Sequence, residues 1–310
     1  MSGVDALLFC GNRGASRPIR GESKAFLPVA GKPLFAHALG AMEKVDRIRR
    51  IFVIGDKGRL DQALAARSGA PAKPIVTLEQ WDSLLSNAWN GFLATLDGYE
   101  PDAGREDPEI TNRVIFAVGC DSPLISTGEI DEFFDGANMG EYDYVVGLTP
   151  KETLDKFAPQ ASGAPGITMA YFHFREGLYR INNMHMARPF AFANREAVQK
   201  LYNSRYQKKL GNVMRLTRDL WTVRPIRPKI WLYFLLQLSM SLSRIGLGAL
   251  ADRVRRHVSI DTVTVAIGEI LGNRVGYAVT TRGGAALDID NEKDYIAMER
   301  MFDVWKAMQT

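Results

Sequence analysis

Residues 7–34 read LLFCGNRGASRPIRGESKAFLPVAGKPL. A short apolar run, with the form of a buried strand, passes into a loop that carries three arginines (Arg13, Arg17, Arg20), then Lys24, then a Gly-Lys-Pro turn. In an open α/β sheet, ligands bind beyond the carboxyl ends of the strands, where this loop starts. Glycines allow backbone N–H groups close to an anion, and Arg13, Arg17, Arg20 and Lys24 add full charges. So much cation suits a polyphosphate better than a single carboxylate. Neither a G-x-G-x-x-G dinucleotide fingerprint nor a G-x-x-x-x-G-K-[ST] phosphate loop is present.

Working outward, strand and helix patterns alternate. Strands are predicted at 6–10, 50–55, 113–121 and 143–150, and helices at 34–45, 60–69, 82–96 and 129–136. This alternation predicts a doubly wound, mainly parallel sheet in an α/β/α sandwich. Beyond 150 the rhythm fades: 161–166 reads as loop and 167–174 as strand. A helix at 259–272, a strand at 274–281 and a helix at 291–308 complete the pattern. The expected organisation is a nucleotide-binding core over 1–150, an accessory, acceptor-binding insertion over 151–257 and a completion of the core over 258–310.

Composition is that of a globular protein, 46% apolar and 24% charged. Two cysteines, Cys10 and Cys120, make no disulfide framework, which points to a reducing, cytoplasmic setting. The opening MSGVDALLFCG reads as a first strand, not as a signal peptide. Net charge is +4, unevenly placed: residues 205–256 hold twelve Lys and Arg against Asp219 and Asp252. Within that block, residues 230–243 are uncharged, too short a run for a span of about 20 apolar residues. Two readings stay open for 224–257: a basic, apolar surface lying on the inner membrane face, or helices buried over the sheet. No nucleic-acid motif accompanies the charge. Oligomeric state is left open.

The strand, Gly/Arg loop, lysine and LPVAGKPL together resemble the signature of the nucleotidyltransferases of GT-A-like fold, and within them the MobA-like NTP transferases. DSLLSNAWNGFLATL (82–96), VIFAVGCDSPLISTGEIDEFF (114–134) and LDIDNEKDY (287–295) agree in content and order. The resemblance implies transfer of a nucleoside monophosphate from an NTP to a phosphorylated acceptor, with Mg²⁺ or alternatively Mn²⁺, and release of pyrophosphate. It implies Asp121 and Asp290 as metal ligands, Lys24 at the α-phosphate, and a loop of Cys10, Gly11, Asn12 and Gly14 around the leaving phosphates. The family's Gly-x-Gly-x-Arg becomes Gly11, Gly14 and Arg17 here, so either Arg13 or Arg17 takes the arginine's place. Ser86 and Asn87 fall where relatives reach the base or ribose. Thr168, Tyr171, Asn182 and Asn183 fall near their acceptor.

Local rules bear on the two aspartates. Ser126 and Glu129 have the spacing of a capping box, which leaves Asp121 free for a metal. Asp290 or Asn291 caps the last helix, and Asp288 is a second acid nearby. Two rivals remain: a glycosyltransferase of similar fold acting on a sugar nucleotide, and a membrane-associated relative without turnover.

Overall fold

The structure, a computed structural model, describes residues 3–13, 18–98, 107–194 and 230–309. Its centre is β1 (Val4–Phe9), whose four middle residues are buried. Such a run, apolar on both faces, suits a parallel strand covered on both sides. The short ribbon β2 (Pro28–Val29) and β3 (Lys32–Pro33) follows, then α1 (Leu34–Met42), β4 (Ile48–Gly55), α2 (Lys57–Ala65) and β5 (Ile75–Glu79). Next come α3 (Leu84–Leu93), α4 (Pro108–Thr111), β6 (Ile115–Gly119), α5 (Thr127–Gly136), β7 (Tyr144–Pro150) and α6 (Lys151–Leu154). The hairpin β8 (Phe172–Phe174) and β9 (Gly177–Ala187) leads to α7 (Ile230–Arg244), α8 (Gly248–Arg255), α9 (Ile260–Leu271), β10 (Val275–Val279) and α10 (Glu292–Ala307).

The main sheet has eight strands in the order β10-β7-β9-β6-β1-β4-β5, with β8 on β9. All pairings are parallel except those of β9, which runs against β6, β7 and β8. Strand alternation divides the core. Ala6 and Leu8 face Phe35 and Leu39 of α1 and Phe133 of α5, whereas Leu7 faces Phe92 of α3 on the opposite side. The architecture is three-layered α/β/α, as the sequence predicts.

Two strands of the main sheet go beyond the sequence reading, β5 and β9, as does the short ribbon β2–β3. The predicted strand 167–174 contracts to β8, and residues 287–290 are not strand. β9 lies between β6 and β7 in the main sheet, within the stretch 151–257. The helix termini follow capping chemistry: Asp56, Ser83 and Ser259 each accept a backbone N–H from the first turn of α2, α3 and α9.

Candidate functional site

The chain builds outward from β1 to β4 and β5, then returns to place β6 on the other side of β1. This reversal makes a crevice above the carboxyl ends of β1 and β6. Phe9 and Gly119 are register partners there, and Cys120 N–H donates to the Phe9 carbonyl at 3.0 Å. Gly11 leaves one strand and Asp121 the other. Cys10 and Cys120 are both buried in the core; burial first, then Cys120, drives the Cys10 thiol pKa well up.

Lys24 begins a single 3₁₀ turn, Lys24–Phe26, and its side chain is 13% exposed. Its Nζ lies 3.0 Å from Asp290 Oδ1 and 3.6 Å from Asp121 Oδ2. Burial pulls the Lys24 pKa down, but Asp121, Asp290 and Asp288 overcome it, and the net shift is upward. Loss of hydration pushes the Asp121 carboxyl up to about 6, with Lys24 opposing and Asp288 and Asp290 adding to it. Among the described residues, Asp121 and Asp290, which repel one another, thus share the Lys24 ammonium.

Asp290 reaches Asp121 across 169 positions of sequence by way of a strap, residues 283–290. Glu129, fully buried, accepts Gly283 N–H at 3.0 Å on one oxygen and Ala285 N–H at 2.8 Å on the other. Ser122 Oγ donates to the Ala285 carbonyl at 3.2 Å, and Ile289 N–H donates to the Asp121 carbonyl at 3.0 Å. Ser126 does cap α5, accepting Glu129 N–H, but the Glu129 carboxylate holds the strap and does not close the predicted box. At the last helix the cap is Asn291, whose side chain accepts Lys293 and Asp294 N–H, which leaves Asp290 to face Lys24. Asp288 turns away to Arg180, whose Nε also donates to the Ala286 carbonyl at 3.0 Å.

The loop after β1 is organised by Gln80, just beyond β5. Gln80 Oε1 accepts Asn12 N–H at 2.8 Å and Arg13 N–H at 3.3 Å, and its Nε2 donates to Asn12 Oδ1 at 2.7 Å. A Cβ on Gly11 would come within 3.2 Å of Gln80 Oε1 and 3.3 Å of Asn87 Nδ2, a tight fit that those side chains would have to yield to. Arg13 is half-exposed, donating to the Gln80 carbonyl at 3.2 Å and lying 3.6 Å from Glu79. Gly14 and Arg17 lie outside the described residues. In α3, Ser86 Oγ pairs with the cap Ser83 at 2.8 Å, while buried Asn87 accepts Trp81 N–H at 2.6 Å.

The acceptor-side residues separate. Asn183 Nδ2 donates to Ser122 Oγ at 2.6 Å and lies 3.4 Å from Asp121 Oδ1, beside the crevice. Asn182, its neighbour on β9, faces the opposite way into the core, where its Nδ2 donates to Thr149 and Thr280. Its Oδ1 accepts Met184 N–H. Thr168 is exposed and Tyr171 half-buried with Lys151 over its ring at 5.8 Å; Arg180 draws the nearby Ala170 carbonyl in at 3.5 Å. Gln80, Glu129 in its strap role and Arg180 were beyond the sequence reading. Gln80 follows a strand that was not predicted, and Glu129 matched a nearer partner.

Does this donor set suit a divalent ion? Mg²⁺ takes hard oxygens, commonly one or two carboxylates completed by phosphates and water. Asp121 and Asp290 supply two on one cation already present, the Lys24 ammonium, so the pair fits. Among the described residues no group of three or more metal-binding side chains gathers, which rules against a closed all-protein cage of the zinc kind there.

A switch-point crevice with a glycine-and-arginine loop, a buried lysine and paired carboxylates defines a nucleotidyltransferase. The chain belongs to the family of the MobA-like NTP transferase domain, whose model matches residues 6–220. Solved structures share its fold, these two among them. One is a hypothetical transferase from Thermus thermophilus, at TM-score 0.61 and 19% identity, covering 94% of this chain and 99% of that one. The other is 4-diphosphocytidyl-2C-methyl-D-erythritol synthase from Anaerococcus prevotii, at TM-score 0.50 and 10% identity, covering 97% and 99%. No curated protein matches the chain.

Proposed function

We propose that the chain transfers a nucleoside monophosphate from an NTP onto a phosphorylated acceptor, a sugar, polyol or lipid phosphate, in the cytoplasm. An acceptor phosphate oxygen attacks the α-phosphorus in line, the α–β bridging bond breaks, and pyrophosphate leaves. A phosphate monoester at neutral pH is largely dianionic, so no proton has to be removed from the nucleophile. Positioning and charge neutralisation are then the whole of the protein's task.

The observation that carries this reading is the contact of Lys24 Nζ with both Asp121 and Asp290. In the reaction Lys24 turns its ammonium to the α-phosphate, where charge builds as the bridging bond breaks. Asp121 and Asp290 would hold Mg²⁺, or Mn²⁺, which supplies charge neutralisation on the triphosphate. Gly11, Asn12 and Arg13, with Gly14 and Arg17, cradle the departing phosphates. For the backbone N–H groups of Asn12 and Arg13 to meet phosphate oxygen, Gln80 must release them, and we assign Gln80 that exchange. Ser86 and Asn87 meet the base or ribose. Asn183 and Arg180, with Thr168 and Tyr171, orient the acceptor; Asn182 supports them from the core. Residues 1–150 and 258–310 form the nucleotide half, and 151–257 the acceptor half.

The test is pyrophosphate release with each of the four NTPs, Mg²⁺ and a panel of phosphorylated acceptors. Pyrophosphate dependent on one NTP and one acceptor class is the expected result. Release of a nucleoside diphosphate from a sugar nucleotide would replace this reading with glycosyl transfer, and no release at all would leave a binding protein.

A further inference from the structure

Helix α7 is apolar on two sides, and among the described residues only one is covered. Leu232 and Leu236 are buried in a cluster with Leu148, Phe174, Val258 and Ile260. Ser239 Oγ, beside them, bonds His173 Nδ1 and the Ala251 carbonyl, each at 3.0 Å. The other side presents Trp231, Phe234 and Leu238, between 46% and 49% exposed, with Ile245 just past the helix end at 70%. Their spacing of three, four and seven residues sets them on one stripe. Leu247 and Leu250 continue it onto α8. Six of the eleven large apolar residues exposed on the described surface thus fall between 231 and 250, which makes a patch and not a scatter.

Cations surround the patch. Arg244 ends α7, Arg253 lies one turn beyond Leu250, and Arg256 follows α8, all three exposed. The sole acid in these two helices, Asp252, accepts Arg255 Nε at 2.7 Å. The sequence leading into α7 is basic as well, although Arg224, Arg227 and Lys229 lie outside the described residues. At 15 residues, α7 is about 22 Å long against a hydrocarbon core of about 30 Å. No helix among the described residues is long and apolar enough to cross a membrane. An apolar stripe bordered by arginine therefore suits the plane of an interface. A second copy fits less well, because a two-fold contact through this patch would set the arginines against their own images.

We infer that α7 and α8 dock the enzyme on an anionic membrane surface, with the stripe from Trp231 to Leu250 entering the headgroup boundary and Arg244, Arg253 and Arg256 meeting lipid phosphates. On this inference each of the two sequence readings of the stretch applies to one side of the same helix. The hairpin of β8 and β9, on which α7 rests, also carries Arg180 and Asn183. This inference is independent of the nucleotidyl-transfer reading.

Flotation of the full chain with phosphatidylcholine vesicles, with and without about one third phosphatidylglycerol, tests it. Binding is expected to the anionic vesicles only and to fall as salt shortens the screening length. Trp231→Ser with Phe234→Ser should cut the bound fraction about tenfold, and Arg244→Glu with Arg253→Glu by a similar factor. All these positions are exposed, so melting temperature and pyrophosphate release with a water-soluble acceptor should stay unchanged. Failure to float with anionic vesicles overturns the inference. A dimer in analytical ultracentrifugation that the serine pair splits, without flotation, would assign the patch to a second copy instead.

Discussion

Lys24 and Asp121 do opposite work at one point, and their variants should differ in kind. Asp121→Asn removes a proposed metal ligand, and with it the carboxyl that burial first, and then Asp288 and Asp290, raise to about 6. Turnover should fall by about 10³-fold or more while the melting temperature holds within a few degrees; near-normal activity removes Asp121 from the site. Lys24→Ala should lower kcat far more than it raises KM for the NTP, since its ammonium counts most where charge builds. A change confined to KM contradicts that role.

Glu129 titrates as a folding sensor. Burial raises its pKa to about 7 against the pull of Ala285, Gly283 and Thr280, whereas an unfolded glutamate titrates near 4.5. Between those values the native state binds the extra proton, so stability falls as pH rises, by at most about 1.4 kcal/mol per unit. Melting curves from pH 5 to 7 should therefore slope down more steeply for the wild type than for Glu129→Gln. Parallel curves would show that Glu129 is not the group.

At the scale of elements, the strap from 283 to 290 decides whether Asp290 is at the site. A Cβ on Gly284 would stand 2.2 Å from the Leu124 carbonyl, a backbone atom that cannot give way. Gly284→Ala should push the strap outward and cost about 100-fold in kcat/KM, with a rise in the Mg²⁺ concentration needed for half activity. An unchanged Mg²⁺ requirement would detach Asp290 from metal binding. This strap also marks where sequence reading stops. Strands β1 and β6 announce themselves through continuous apolar runs that end in Cys10 and Cys120. β9 does not, because its alternation is broken by Arg180, Asn182 and Asn183, polar residues that serve the crevice and the core beneath it. β5 is short and only partly buried, and with it Gln80 stays hidden. The motif acids could be found from local pattern, whereas their meeting depends on Glu129 and Ser122 reaching a segment more than 150 residues away, which no spacing encodes.

Across the whole molecule, a stabilising ion cluster lies apart from the proposed site. Asp5, buried at the start of β1, accepts Arg49 Nη2 at 2.6 Å and Arg50 Nη2 at 2.9 Å, on the far side of the sheet's length from the crevice. Asp5→Asn should cost about 2 kcal/mol, less than a fully buried pair because both arginines reach water. Its kcat at temperatures well below melting should match the wild type; a matching loss of kcat would mean that the sheet transmits strain to the site. The mainly parallel α/β/α sheet was legible because alternation of apolar strands and amphipathic helices is a whole-chain property, insensitive to the two missed strands. The two-sided nature of α7 was not, since a single apolar run looks alike whether one face is covered or both. The expectations for turnover rest on Asp121 and Asp290 sharing one cation beside Lys24. Crystals grown with Mn²⁺ and a non-hydrolysable NTP test that directly by anomalous scattering. The predicted result is a peak at coordination distance, about 2.0–2.2 Å, from carboxylate oxygens of both Asp121 and Asp290 with triphosphate oxygens completing its shell. A metal bound to the triphosphate with either aspartate out of reach would contradict it.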